Sequence, residues 1–297
     1  MAGGQERILR RRIKSVQATR KITKAMELIA ASQIPRSQAR IVANRPYRNG
    51  MRRIILEAVK GDPAAAKKML ALPEKVDAAL VLVITGDRGL SGAYNSSVLR
   101  AGERLVNSLR AEGVNVRLFA VGKKAAGFFR FRGMAAEQSF VGMADRPTFA
   151  DARHIASAVA APFIDDEVQQ VILVSTRFLS AGLQNVETEQ LLPLAMPEVT
   201  PEDAPKAVQG YTEFEPEVEK LLFFLAPRAL ESEIFSALLE GAASFHTSQQ
   251  RAMAAATENA DDLGQTLSRI MNRARQDSIT TEIMEIVGGA EALRSRK

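Results

Sequence analysis

The chain has 297 residues, 46% of them hydrophobic, which suits one or two domains with a substantial core. It has no cysteine, which excludes disulfides, thiolate sites and a thiol switch, and its two histidines, His154 and His246, lie too far apart in sequence for a histidine-rich metal site. The formal charge of +6 is unevenly placed: residues 1–60 carry fifteen Lys/Arg against three acidic residues, whereas 61–216 and 217–297 are each net −3, so a basic arm on a mildly acidic body implies an acidic partner.

Residues 5–59 read as a long helix. Leu9, Ile13 and Val16 step by 4 and 3, as do Ile22, Met26 and Ile29, with Thr19 and Thr23 bridging the two groups. Pro35 and Pro46 conflict with this pattern, since each removes a backbone donor and crowds the preceding turn, and a kink or break is expected near each. Gly61-Asp62-Pro63 and Leu72-Pro73 close the segment around a short Ala/Lys-rich helix. Met1-Ala-Gly-Gly-Gln-Glu leads straight into charged residues, with no signal-peptide pattern.

From residue 76 the pattern changes. Ala78 to Ile84 is the longest continuous apolar run, far short of the ~18 residues of a membrane span, and suits a strand buried on both faces. A turn follows at Thr85–Gly92, then a helical pattern through Val98, Leu105, Val106 and Leu109. Val114–Val121 reads as the next strand, Lys123–Arg132 as a helix, and Ser139–Val141 as a weaker strand. A helix to Phe163 starts at Thr148 or Asp151, with the Thr148 hydroxyl a candidate N-cap. Val168–Phe178 and Val186–Leu194 read as strands, Pro197–Pro205 as a loop, and Tyr211–Phe214 as an added edge strand before Pro216. Strands alternating with helices predict an open, mostly parallel, Rossmann-like α/β sheet.

The last stretch is helical again. Met253, Ala256, Ala260, Leu263, Leu267, Ile270 and Ala274 step by 3 and 4, the seam of a coiled-coil strand. A second run, Ile279, Ile283, Ile286, Ala290 and Leu293, is offset from the first, so the stripe is expected to jump sideways at Arg275–Ser278. The fold class is therefore α/β with a long antiparallel coiled coil. Residues 1–60 form its N-terminal helix, 61–75 a linker, 76–215 the α/β domain and 216–297 the C-terminal helix.

Motifs for chemistry are sparse. The turn Gly86-x-x-Gly89-x-x-Gly92 has neither dinucleotide nor P-loop spacing. Gly89-Leu90-Ser91-Gly92-Ala93 fails the nucleophile-elbow pattern at its last residue. Asp87 and Arg88 read as a local turn network or a face for a partner. Asp165-Asp166 and Asp261-Asp262 are expected on solvated faces, and both histidines at surface or capping positions. The arginines of the basic arm are not interleaved with aromatic residues, which argues against nucleic acid.

Several segments together resemble the gamma subunit family of ATP synthase: Arg12–Ser32, Thr85–Asn95, Leu191–Leu194, Phe214–Pro216, Ala256–Ala260, Asn272–Ile283 and Glu285–Ala290, in the family's order over residues 8–293. The resemblance implies a central-stalk rotor subunit of a proton-translocating ATP synthase, without catalytic residues of its own and with no bound cofactor, since ATP, ADP and Mg belong to partner subunits. Expected partners are the alpha and beta subunits, the epsilon subunit and the membrane rotor c-ring, with no nucleic acid and no membrane span. The expected location is the cytoplasmic face of a bacterial membrane.

The same resemblance implies that Arg275, Gln276 and Thr280 form a latch on a beta subunit. Met26 is expected near them across the helix pair, so that Met26→Lys would set a cation beside the latch and loosen coupling. Asp87 and Arg88 match contacts to the alpha/beta ring or epsilon, and Glu215 matches a contact to the rotor ring. Departures from the family pattern are Pro35, Phe245 in place of an acidic residue, Gln249-Gln250 in place of Arg-Met, and Ser91 where many members carry cysteine. Two rival readings remain: an α/β enzyme with helical dimerisation arms, and a cytoplasmic coiled-coil scaffold.

Overall fold

Seven consecutive apolar residues are accommodated only where both faces of a strand are covered, and Ala78–Ile84 is buried at every position as the middle strand of the sheet. The computed structural model describes residues 2–62, 75–194, 214–215 and 217–294. The short helix expected between Gly61 and Pro73, the Pro197–Pro205 loop and most of the edge strand expected from Tyr211 lie outside these residues. The elements in order are α1 (Ala2–Gly61), β1 (Ala78–Ile84), α2 (Tyr94–Ala111), β2 (Asn115–Val121), α3 (Lys123–Phe131), β3 (Gln138–Phe140), α4 (Phe149–Ile164), β4 (Gln170–Phe178), β5 (Gln184–Leu192) and α5 (Val218–Arg294).

The sheet order is β3-β2-β1-β4-β5, parallel throughout except for β5, which runs antiparallel to β4. α2 and α3 cover one face through Val98, Val106, Ala125 and Phe129. On the other face α4 is joined by Met51, Ile55 and Ala58 of α1 and by Leu222, Leu230, Ile234 and Leu238 of α5. The two long helices thus supply part of one layer of the body. For that reason the compact units divide within the helices, as residues 31–249 and residues 1–30 with 250–297, rather than at residues 60 and 216.

The expected break at Pro35 and Pro46 does not occur: α1 is helical through both, and α5 passes through Pro227. The reason is placement. All three prolines are exposed, as are Ala31, Val42 and Phe223, whose carbonyls lose their donors. At exposed positions those carbonyls are open to solvent, so the missing bond does not leave a buried polar group. The Thr148 cap is formed as a full capping box, with Asp151 N donating to Thr148 Oγ1 at 3.2 Å and Thr148 N donating to Asp151 Oδ2 at 2.7 Å.

In the smaller unit α1 and α5 pair antiparallel. The Thr257 hydroxyl donates to Thr23 Oγ1 at 2.8 Å, Arg20 pairs with Asp261, and Gly264 faces Val16. These three contacts define one register. On α5 the inward positions are Met253, Thr257, Ala260, Gly264, Leu267, Met271, Ala274 and Ser278. The seam therefore differs from the expected one. Leu263 and Ile270 are about half exposed, at 50% and 46%, and Ile22 and Ile29 of α1 are exposed at 61% each. The stripe does not jump at Arg275–Ser278; it continues through Ser278. Small and polar residues sit inside because the helices approach closely there, and a buried threonine pair satisfies its own hydroxyls. Asp261 is likewise not simply solvated but paired across the seam.

Candidate functional site

In an open α/β sheet the ligand crevice lies beyond the carboxyl ends of the strands, where the order reverses, here beside β1. The turn Thr85–Asn95 occupies that place, and its polar groups are turned inward on one another. Thr85 Oγ1 donates to Val121 O at 3.1 Å and accepts from Ala125 N at 2.9 Å. Asn95 Oδ1 accepts from Gly86 N at 2.9 Å, and its amide donates to Arg88 O at 3.0 Å and Ser91 Oγ at 3.1 Å. The Asp87 carboxylate accepts from three backbone amides: Lys123 N at 3.0 Å, Gly142 N at 3.0 Å and Ala144 N at 3.2 Å. Asp87 is therefore the clasp of a turn network joining three loops. Arg88, with a largely exposed side chain, pairs with Asp145 at 3.0 Å.

The crevice itself is filled from α5. Phe245 is buried and packs edge-on against Tyr94, with ring centroids 5.8 Å apart, and a side chain at Gly86 would meet its ring. Phe245 thus plugs the place where a ligand would enter. Burial, then the charge of Asp145, pushes the Tyr94 phenol above its usual range.

His246, expected at a surface or cap, is instead buried against Phe245, with Nε2 3.4 Å from Asp145 O. Burial is the largest influence on it and holds its pKa below 6.5, against the opposing pull of Asp145; Arg146 and Arg88 add to the lowering. In the unfolded chain the same imidazole takes up a proton near pH 6.5, so stability present above that pH is lost as pH falls below it. His246→Gln should flatten the pH dependence of the thermal midpoint between pH 7 and about 5.5. An unchanged slope would count against a buried neutral His246. His154 is exposed and lies edge-on to Phe140.

The residues of the expected latch sit on α5 near where its partner ends. Arg275, Gln276 and Thr280 are exposed; the Thr280 hydroxyl donates to Gln276 O at 3.0 Å, and the side chains of Arg275 and Gln276 have no intramolecular partner among the described residues. Met26 does not join them. The Thr23–Thr257 and Val16–Gly264 pairing sets Met26 close to the level of Ala254, roughly 30 Å along the helix from Arg275 at 1.5 Å per residue. A lysine at 26 would stand at that level and not beside Arg275. Ser278 stands level with the start of the described part of α1, and beyond it Ile279, Ile283, Met284, Ile286 and Val287 are all exposed.

The opposite end of the body, where the parallel strands begin and α4 finishes, carries other apolar groups. An open cavity of about 520 Å³ lies among Ile55, Phe163, Leu192, Leu194, Leu222 and Leu230. Ile164 and Phe223, exposed at 75% and 68%, stand at its rim. Glu215 is exposed next to Phe214, whose ring packs on Gly61. No local sequence pattern marks this cavity, since its lining comes from α1, α4, β5 and α5 together.

The chain matches the ATP synthase family model over residues 5–293. It is 46% identical over 296 residues to the ATP synthase gamma chain of Parafrankia sp. (strain EAN1pec), covering 98% of this chain and 99% of that one. The gamma chain of Frankia casuarinae is 44% identical with the same coverage. Among solved structures, a chain of the Tetrahymena thermophila mitochondrial ATP synthase central stalk/c-ring aligns with a TM-score of 0.62 at 27% identity, over 79% of this chain and 99% of that one. A chain of the Euglena gracilis mitochondrial ATP synthase aligns with a TM-score of 0.64 at 16% identity, over 99% and 96%, which shows the shared fold.

Proposed function

The chain belongs to the gamma chain family of ATP synthase, the rotor stalk of the F-type enzyme, and on that premise we propose that its two units divide the rotor's work. The antiparallel helix pair turns inside a ring of alpha and beta subunits. The α/β body takes rotation from the membrane rotor ring, with the epsilon subunit beside it. The observation that carries this reading is the exposed apolar end of α5. A helix with five large apolar side chains exposed in water, and with no partner helix among the described residues, is unstable by itself. Such a helix needs a surrounding sleeve.

Arg275 and Gln276 serve as the latch on a beta subunit, Thr280 supports them through its bond to the Gln276 carbonyl, and Met26 meets the ring at a separate level. Arg88 faces the ring or epsilon, and Asp87 acts through the turn it holds. Glu215 and the apolar cavity beside Ile164 and Phe223 receive the rotor ring and epsilon. The filled crevice at Gly86 and Phe245 supports a chain that does no chemistry and binds no nucleotide, leaving ATP, ADP and Mg to the partner subunits. No described helix is long and apolar enough to cross a membrane, and the chain works as a peripheral subunit at the cytoplasmic face of a bacterial membrane.

A tagged pull-down from solubilised membranes should recover alpha, beta and epsilon subunits with ATPase activity. Recovery of this chain with unrelated partners and no ATPase would discard the proposal. Arg275→Ala with Gln276→Ala should change the chain's own stability by no more than about 0.5 kcal/mol, since neither side chain has a partner among the described residues. The same change should lower ATP synthesis by about tenfold, the cost of roughly 1.4 kcal/mol of lost coupling. Wild-type synthesis in an assembled complex would remove the latch.

A further inference from the structure

The chain passes between its two compact units at residues 30–31 and 249–250, both inside the long helices. Whatever force the sheet body receives must therefore leave it along α1 and α5. The apolar contacts that hold these helices to the sheet are non-directional, and packed helices slide past one another by small shear motions at little cost. A joint that resists such sliding needs directional bonds.

One cluster in the body has them. Arg48 of α1 is bound by Glu233 of α5 through Nε at 2.9 Å and Nη2 at 2.7 Å, and by Glu240 through Nη1 at 3.3 Å. Arg52, one turn on, grips both oxygens of Glu233 at 2.7 and 3.0 Å. The second oxygen of Glu240 accepts from Phe178 N at the end of β4, 3.0 Å away, and Ser236 lies 3.4 Å from the first. Glu189 of β5 faces the same cluster, and its carboxyl is pushed upward by burial, with Arg48 opposing. The Arg48 side chain is only 16% exposed.

We propose that the Arg48–Glu233–Arg52–Glu240 cluster is the joint that transmits force through the rotor, with Glu240 as the node that ties α1, α5 and the sheet together. This rests on the rotor reading above. A buried ion pair contributes little net stability over an apolar pair of the same volume, so the cluster is poorly explained as a stabilising device. Its bonds do have fixed directions, shared among three elements, and a displacement of either helix along its axis stretches at least one of them. Glu240 is a positioning residue, since it touches no nucleotide and acts through the geometry of the helices.

The test uses the assembled complex in proteoliposomes. Glu240→Gln keeps the shape and the acceptor for Phe178 N but removes the charge that pairs with Arg48. ATPase activity should remain, while protons pumped per ATP hydrolysed fall by about twofold or more. The torsional stiffness of the rotor, read from the angular fluctuations of a bead on a stalled complex, should fall with it. Arg52→Lys, which keeps the charge but loses the two-pronged grip, should lie between, and covers the case in which Glu240→Gln does not assemble. Arg177→Gln, which breaks a more exposed pair with Glu187 in the same sheet, should change neither readout. Wild-type pumping and stiffness in an assembled Glu240→Gln or Arg52→Lys complex would overturn the joint while leaving the rotor reading intact. Failure of the unaltered chain to assemble with any ATPase subunit would overturn the rotor reading itself.

Discussion

Replacing Gly122 with alanine is expected to be among the most damaging single changes in the chain. Gly122 joins β2 to α3 with φ at +91°, a region that residues with a Cβ rarely enter. A Cβ there would also lie 2.8 Å from the Gly86 carbonyl oxygen and closer still to that of Thr85. Both obstacles are backbone, and both belong to the turn that Asp87 and Asn95 hold in place, so neither can move aside. Strain and overlap together should cost about 3 kcal/mol or more. For a body of this size that corresponds to a fall of roughly 10 °C in the thermal midpoint. Ala126→Gly on the neighbouring helix should cost only about 1 kcal/mol and serves as the comparison. Equal midpoints for Gly122→Ala and the unaltered chain would mean that the turn is not built as described.

Arg48→Met should produce the second large effect. It leaves Glu240 in the interior without its cation and Glu233 with Arg52 alone, and removing one partner of a buried pair costs about 3–5 kcal/mol. The loss should depend on pH. Burial pushes the Glu233 carboxyl up, but Arg48 and Arg52 more than reverse this and hold it below 4.5 in the folded chain. A carboxyl with a depressed folded pKa contributes stability above its unfolded pKa of about 4.5 and loses it as pH falls through the folded value. The gap between unaltered and Arg48→Met chains in chemical denaturation should thus be widest near pH 7 and narrow below pH 4. A gap of constant width would show that packing, not charge, sets the cost. Double replacement of Arg48 and Glu240 should cost less than the sum of the single changes, because the two side chains share one network.

Several elements are legible in the amino-acid sequence alone. Seven apolar residues in a row, with β-branched Val81, Val83 and Ile84 among them and a Gly-rich turn after them, suit β1 because a strand in the middle of a sheet has both faces covered. Thr148 followed by Asp151 defines the start of α4 because the two side chains satisfy each other's backbone amides. The antiparallel pairing of the terminal helices follows from two one-sided patterns separated by an α/β domain. What misled was the ranking of residues by apolarity alone. Leu263, Ile270, Ile22 and Ile29 look like seam residues, yet Thr23, Thr257 and Gly264 hold the seam. A close approach of two helices selects small side chains and self-satisfied hydroxyls over bulk. The exposed isoleucines belong to a surface whose proposed cover is other chains, which a sequence read as a single molecule cannot distinguish from a core.

By itself, the sequence determined element types and order, the parallel sheet, the pairing of the ends and the family, because these depend on local periodicity and on motifs contiguous in the chain. The tertiary structure alone decided the helix register that separates Met26 from Arg275, the filling of the sheet's crevice by Phe245, the burial of His246, and the meeting of Arg48, Glu233 and Glu240. Each of these depends on residues far apart in the chain, such as Arg48 and Glu233, separated by 185 positions. Contacts at that range are set by how whole layers pack, and no local pattern of apolar and polar residues encodes which pairs will meet.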